Sequence, residues 1–106
     1  RLAGTDRVAN ALHAPRLSLL SLGPNPMRDD ASVELAMPQR GELRASVYAI
    51  DGRRVRSFER FETGPGIVRL RWDGLDDQGH RARAGVYVLS AESNGARVNA
   101  RLVRVP

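Results

Sequence analysis

The residues best suited to chemistry in this sequence are three aspartates in one short polar stretch. Asp73, Asp76 and Asp77 share this stretch with two glycines, and carboxylates on a glycine-containing loop are what a hard cation such as Ca²⁺ requires. An EF-hand loop beginning at Asp73 would need an oxygen ligand at its third position and a glutamate at its twelfth, where the sequence has leucine and alanine. We therefore expect a turn in which the aspartates accept hydrogen bonds from backbone N–H groups. The alternative is a calcium loop formed by the same three residues.

Neither the histidines nor the serines have the neighbours that catalysis requires. His13 lies in the N-terminal segment and His80 in a predicted loop, whereas metal sites and acid–base catalysis need groups that converge in space. No serine has the Gly-x-Ser-x-Gly context of a hydrolase nucleophile, and the chain has no cysteine. No glycine-rich stretch precedes a helix that could hold phosphate. We predict that the chain is not an enzyme, with no catalytic residue and no cofactor.

The positive charge of the chain is spread along its length. All 17 basic residues are arginine and the formal net charge is +5, but the arginines fall along every predicted strand. A nucleic-acid binder more often has a localised basic stripe with aromatic residues between the charges, so no nucleic-acid partner is expected. The same charge suits an anionic surface. No segment reaches the ~20 apolar residues that a membrane span needs, so none is predicted.

The hydrophobic pattern predicts a single all-β domain. Residues 1–15 have little periodicity and are interpreted as a linker or the end of a preceding domain, with the folded domain over 16–106. After Pro15, short alternating runs are separated by turn signals; in one of them Val68, Leu70 and Trp72 alternate with arginines, which is the period of a half-buried strand. Strands are predicted at 17–22, 32–37, 42–50, 53–58, 67–72, 85–92 and 97–105. About seven antiparallel strands at this spacing indicate an immunoglobulin-like β-sandwich.

Two turns and a core follow from the same pattern. Asp51-Gly52 predicts a type I′ hairpin turn, which needs positive φ at both central residues, and Asn94-Gly95 predicts a second hairpin. Trp72 is expected to be the largest member of the core. The predicted core residues are Val33, Leu35, Leu43, Val47, Val68, Leu70, Trp72, Tyr87, Leu89, Val98 and Leu102.

Five short motifs follow one another along the chain. They are Pro24-Asn25-Pro26, the hairpin from Val47 to Val55, Trp72-Asp73-Gly74 with the aspartate-rich loop, Ala84-Gly85-Val86-Tyr87, and the basic-apolar end from Arg101 to Val105. Together they resemble the FlgD-type immunoglobulin-like domain, and the chain is also similar to the C-terminal sorting domains of the type IX secretion system. The resemblance covers about residues 20–106, and one departure is Ala49, where the family often has aspartate.

The resemblance implies a non-catalytic C-terminal accessory domain of a larger exported bacterial protein, secreted or held at the cell surface. Its role would be sorting, surface anchoring or spacing, and its partners the export machinery or a cell-surface component and the upstream domain of the same chain. The final strand, 97–106, is expected to be an exposed edge that pairs with a receptor sheet, with Arg97, Arg101 and Arg104 as candidate partner-binding residues. The alternatives are a carbohydrate- or protein-binding module and a self-assembly domain of the hook-capping type.

Overall fold

The computed structural model describes residues 16–106, so the predictions for residues 1–15, including His13, lie outside it. The all-β prediction is confirmed, with eight strands where about seven were expected, and the described residues contain no helix that could cross a membrane. The additional strand is β5, which has only three residues. The strands are β1 (Ser18–Gly23), β2 (Ala31–Met37), β3 (Gly41–Ala49), β4 (Arg54–Ser57), β5 (Phe61–Thr63), β6 (Gly66–Trp72), β7 (Gly85–Ser93) and β8 (Ala96–Arg104).

The strands form two antiparallel sheets. One has three strands in the order β1-β2-β6, and the other has β4-β3-β7-β8, with β5 paired to β3 next to β4. Alternate residues of β2, β3, β6 and β7 are buried, because successive side chains of a strand point to opposite faces. The buried faces of the two sheets enclose one core, which is the predicted immunoglobulin-like sandwich.

Besides the predicted residues, the core contains nine that were not on the predicted list, namely Leu17, Met27, Ala31, Met37, Ala45, Val55, Ala82, Ala91 and Ala100. Every predicted core residue is buried except Val98, which is half-buried. Met37 is 1% exposed and Met27 is fully buried. The backbone N–H of Met27 donates to the carbonyl of Val103 at 2.8 Å, and Val105 donates back to the Met27 carbonyl at 2.8 Å. This pairing with the end of β8 brings the Met27 side chain into the core, although no strand pattern surrounds it in the sequence.

Trp72 and Tyr87 form the aromatic centre of the core. Their ring centroids are 5.3 Å apart and their planes are inclined at 60°, an edge-to-face contact. The Trp72 indole N–H donates to the carbonyl of Leu75 at 2.9 Å, and the Tyr87 hydroxyl donates to the carbonyl of Arg83 at 2.5 Å. A tyrosine near the start of a strand that bonds back to the preceding backbone is the tyrosine corner of immunoglobulin-like sandwiches.

The two predicted hairpins differ in their turns. Asn94 has φ 52° and Gly95 has φ 78°, as a type I′ turn requires, so this hairpin is confirmed. The type I′ prediction at Asp51-Gly52 is wrong, because Gly52 (φ 90°) has a positive φ but Asp51 does not. The Gly52 N–H donates to the carbonyl of Ala49 at 2.9 Å. The loop therefore has three residues and ends in a left-handed glycine, the usual alternative for short hairpins.

We predict that Trp72→Ala lowers the free energy of unfolding by about 3–5 kcal/mol, because it removes the largest buried side chain and leaves a cavity. Urea denaturation with linear extrapolation measures the loss. Ile50→Ala is the control: Ile50 is 73% exposed, so its truncation should change stability by no more than about 0.5 kcal/mol. Equal effects from the two variants would contradict the packing described above.

Candidate functional site

Each of the three aspartates in the polar loop accepts hydrogen bonds from a different set of residues. Asp73 accepts hydrogen bonds from Arg56 at 2.9 Å and from the backbone N–H of Leu75 at 3.0 Å. Asp76 accepts from N–H groups of its own loop, and Asp77 accepts from an N–H of β4. All three thus accept backbone N–H groups, as expected for the turn. Within residues 16–106, no three His, Asp or Glu side chains are arranged to hold a metal ion.

The loop is folded back on itself. The Ala82 N–H donates to the carbonyl of Gly74 at 2.8 Å, and the Asp76 N–H donates to the carbonyl of His80 at 2.8 Å. Gly74 has φ 79°, and a Cβ at this position would lie 2.7 Å from the carbonyl oxygen of Asp29. Both the backbone conformation and the close approach require glycine here. The Trp72-Asp73-Gly74 motif therefore has a structural role, which is to start this turn.

Asp77 closes the outer edge of β4. Its backbone N–H donates to the carbonyl of Val55 at 2.9 Å, and its carboxylate accepts the backbone N–H of Ser57 at 2.9 Å. The side chain thus takes the position that a neighbouring strand would occupy. Covering an edge in this way removes a template for pairing with other chains.

The edge of β8 is closed over its C-terminal part by the segment after β1. Asn25 accepts the N–H of Val103 at 2.9 Å and donates to the carbonyl of Arg101 at 3.1 Å. Met27 then continues the pairing as a parallel bridge. The Pro24-Asn25-Pro26 motif contributes the amide that bonds to β8. The final strand is therefore an edge strand, as predicted, but only part of it is open.

The open part of β8 lies around Arg97 and Asn99. In its ladder with β7, Arg97 is opposite Glu92, Asn99 opposite Ser90 and Arg101 opposite Val88. The hydrogen bonds from Asn25 show that residues 101 and 103 point their backbone groups away from β7. Because every second residue of an edge strand points its N–H and C=O outward, residues 97 and 99 do the same. No other described strand is hydrogen-bonded to this stretch, although β1 contacts β8.

The structure separates the three candidate arginines. Arg97 and Arg101 are exposed on the outer face of the five-stranded sheet. The Arg97 guanidinium lies 3.7 Å from the Glu92 carboxylate. Arg104 is only 5% exposed, and its Nε atom has no hydrogen-bond partner among the described residues. Arg104 therefore lies in the interior end of the sandwich and does not join the other two on the surface.

The fold and these edges define an immunoglobulin-like β-sandwich of three and five strands. The FlgD Ig-like domain model matches residues 28–97. The chain therefore belongs to the FlgD Ig-like domain family. No curated protein matches it.

Solved structures show the same fold in longer proteins. Latent PorU from Porphyromonas gingivalis is similar with a TM-score of 0.69 at 21% identity, over 84% of this chain and 9% of that one. PorZ from the same bacterium, a surface component of its type IX secretion system, gives 0.57 at 16%, over 93% and 12%. FlgD from P. aeruginosa gives 0.54 at 21%, over 85% and 68%. The chain thus spans about a tenth of the length of PorU and PorZ, and at these identities the likeness establishes the fold.

We predict that Asp77→Ala lowers the free energy of unfolding by about 0.5–1.5 kcal/mol, because it removes the acceptor of the Ser57 N–H. Asp77→Asn is the matched variant, since its amide oxygen can accept the same hydrogen bond. Urea denaturation of the two variants beside the parent chain measures the difference. Equal stability of the alanine and asparagine variants would show that the side chain does not support the edge of β4.

The pKa of the Asp76 carboxyl is lowered from its ordinary value of 3.8, chiefly by the hydrogen bond from the backbone N–H of His80 and also by that from Gln78 and by the nearby His80 imidazole. A lowered carboxyl pKa stabilises the folded state above the unfolded-state pKa, and this contribution is lost as the pH falls towards the folded-state pKa. We predict that stability declines as the pH drops below about 4 and that Asp76→Asn declines less over that range. Thermal denaturation at a series of pH values tests this, and parallel profiles for the two proteins would contradict it.

Proposed function

We propose that this domain is a non-catalytic accessory module of a larger exported bacterial protein, and that a component of the export machinery or the cell surface recognises it at the open edge of β8. The observation that carries the proposal is the contrast between edges. Asp77 closes the outer edge of β4, and Asn25 and Met27 close the C-terminal part of β8, but the stretch around Arg97 and Asn99 has no strand partner among residues 16–106.

An open edge is suited to β-augmentation. The outward N–H and C=O groups of Arg97 and Asn99 can pair with an extended segment of another chain, which supplies affinity through main-chain hydrogen bonds. Arg97 and Arg101 project from the same face on either side of Asn99, because alternate side chains share a face. Their charge favours a partner strand with acidic side chains at the facing positions, and it disfavours pairing between two copies of this edge.

The comparisons support a role within a longer chain. This domain is similar to part of PorZ, a bacterial surface component of a type IX secretion system, and to FlgD, which caps the flagellar hook. In the first of these the similar part is a small fraction of the protein. A module of this kind that serves only as a spacer would not need an accessible edge, so blocking the edge distinguishes recognition from spacing.

The test is Asn99→Pro in the full-length parent protein, expressed in the bacterium that makes it. Proline at this position removes only an outward N–H, which makes no bond to β7, and edge strands tolerate it on that side. Asn99→Ala is the control because it keeps the N–H. We expect Asn99→Pro to reduce the surface or secreted fraction at least about tenfold while Asn99→Ala leaves it unchanged.

Circular dichroism of the isolated domain checks that the proline variant and the alanine variant are both folded. If the proline variant is folded and is exported and retained as well as the alanine variant, recognition at the β8 edge is overturned and the spacer role stands in its place.

A further inference from the structure

A groove crosses the outer face of the five-stranded sheet, away from the core. It has a volume of about 250 Å³, and its lining includes Arg44, Arg54, Arg60 and Arg97. These four arginines come from β3, β4, the segment after β4, and β8, so they are distant in the sequence. We call this feature the arginine groove.

The strand register explains why the groove exists. Ser46 of β3 is opposite Ser57 of β4 on one side and opposite Ser90 of β7 on the other. Three small side chains therefore form a continuous row across three strands, and this row is the floor. The neighbouring positions on each side carry longer side chains, with Arg44 beside Glu92 along one wall and Tyr48 beside Arg54 along the other.

The groove carries an excess of positive charge. Glu92 is its one acidic lining residue, and it is shared between Arg44 at 2.9 Å and Arg97 at 3.7 Å. Arg54 and Arg60 make no ion pair with any residue from 16 to 106. Two guanidinium groups are therefore free to bind an anion, and each can donate two parallel hydrogen bonds to a carboxylate or phosphate.

The floor and one wall add hydroxyl groups that are also free. The side-chain oxygens of Ser46, Ser57, Ser90 and Tyr48 make no hydrogen bond to another described residue. Each hydroxyl can donate one hydrogen bond and accept others. The Tyr48 ring is half-buried beside them and presents an apolar surface next to its polar tip.

We propose that the arginine groove binds an acidic saccharide, meaning a sugar unit that carries a carboxylate or a phosphate. Arg54, beside Tyr48, and Arg60, near Arg44, each offer a guanidinium to an anionic group. The serine row bonds to the sugar hydroxyls, and the Tyr48 ring packs against the C–H face of the sugar. A neutral sugar would leave the guanidinium groups unused, and a bare inorganic anion would leave the hydroxyls unused. Sites with a few convergent polar groups and an aromatic wall are typical for small ligands. This site uses side chains on the sheet face and does not depend on the proposed recognition at the β8 edge.

The test is a titration of the ¹⁵N-labelled 106-residue chain followed by NMR. The probes are a tetramer of galacturonic acid, mannose 6-phosphate, a neutral tetramer of glucose and inorganic phosphate. We expect saturable binding of at least one charged sugar with Kd below about 1 mM, with shifts centred on Ser46, Ser57 and Ser90. The comparison of the first two probes identifies carboxylate or phosphate as the anionic group. The neutral sugar and inorganic phosphate should each bind at least about tenfold more weakly.

Variants locate the binding in the groove. Arg54→Gln combined with Arg60→Gln should weaken binding at least about tenfold, because charge-assisted hydrogen bonds are lost. Arg101→Gln combined with Arg83→Gln is the charge-matched control, since both arginines are exposed and outside the groove lining. Ser46→Val fills the floor with a residue that favours strands and should weaken binding without lowering the melting temperature.

Three results would overturn the proposal. One is the absence of saturable binding by both charged sugars. The second is equal affinity for inorganic phosphate, which would make the groove a general anion site. The third is an equal loss of affinity in the control that replaces Arg83 and Arg101, which would show that binding follows net charge and not the groove. Because the test variants leave Asn99 and the β8 edge intact, failure here is separable from failure of the export proposal.

Discussion

The hydrogen bond from the Trp72 indole to the Leu75 carbonyl connects the core of this domain to its edges. The ring is fully buried against Tyr87, so its N–H would carry a desolvation penalty of about 1–3 kcal/mol if it had no partner. The loop that follows β6 must therefore keep its first turn directly over the core. Gly74 allows that turn, and the same turn places Asp77 against the outer edge of β4. The same loop conformation therefore both bonds to the buried Trp72 indole and closes the edge of β4.

The two closed edges are built in the same way. At β4 a carboxylate from a loop accepts an outward strand N–H, and at β8 the Asn25 amide both accepts and donates. A short polar side chain replaces the backbone of a missing strand in each case. The unclosed stretch of β8 carries Arg97 and is bordered by Arg101, and their charge replaces hydrogen-bonded closure as the protection against self-pairing. An edge protected in this way remains accessible to a partner of opposite charge.

Periodicity in the sequence predicted seven of the strands, and ten of the eleven residues that it placed in the core are buried, because alternate apolar residues report directly on a half-buried sheet. It missed β5, which has three residues and in which Phe61 is 41% exposed, so no buried face marks it. It missed Met27, whose burial depends on hydrogen bonds to β8 from a proline-flanked segment. The turn at Asp51 was mistaken because two- and three-residue hairpin loops share the same Asp-Gly signal. The hydrogen bonds from backbone N–H groups to the loop aspartates were predicted. The contact of Asp77 with β4 was not, because it joins residues distant in the sequence and leaves no local sequence pattern.

The arginine groove could likewise not be predicted from the sequence. Along the sequence the arginines are evenly spread, which is typical of a solvated surface, and only the register of β4, β3 and β7 aligns three serines between them. Glu92 relieves the repulsion between Arg44 and Arg97, whereas Arg54 and Arg60 keep their full charge. An anion that enters the groove therefore gains attraction without displacing an internal ion pair at these two residues. The proposed saccharide site depends on side chains, and the proposed recognition at the β8 edge depends on backbone groups, so the two proposals concern adjoining surfaces that share only Arg97.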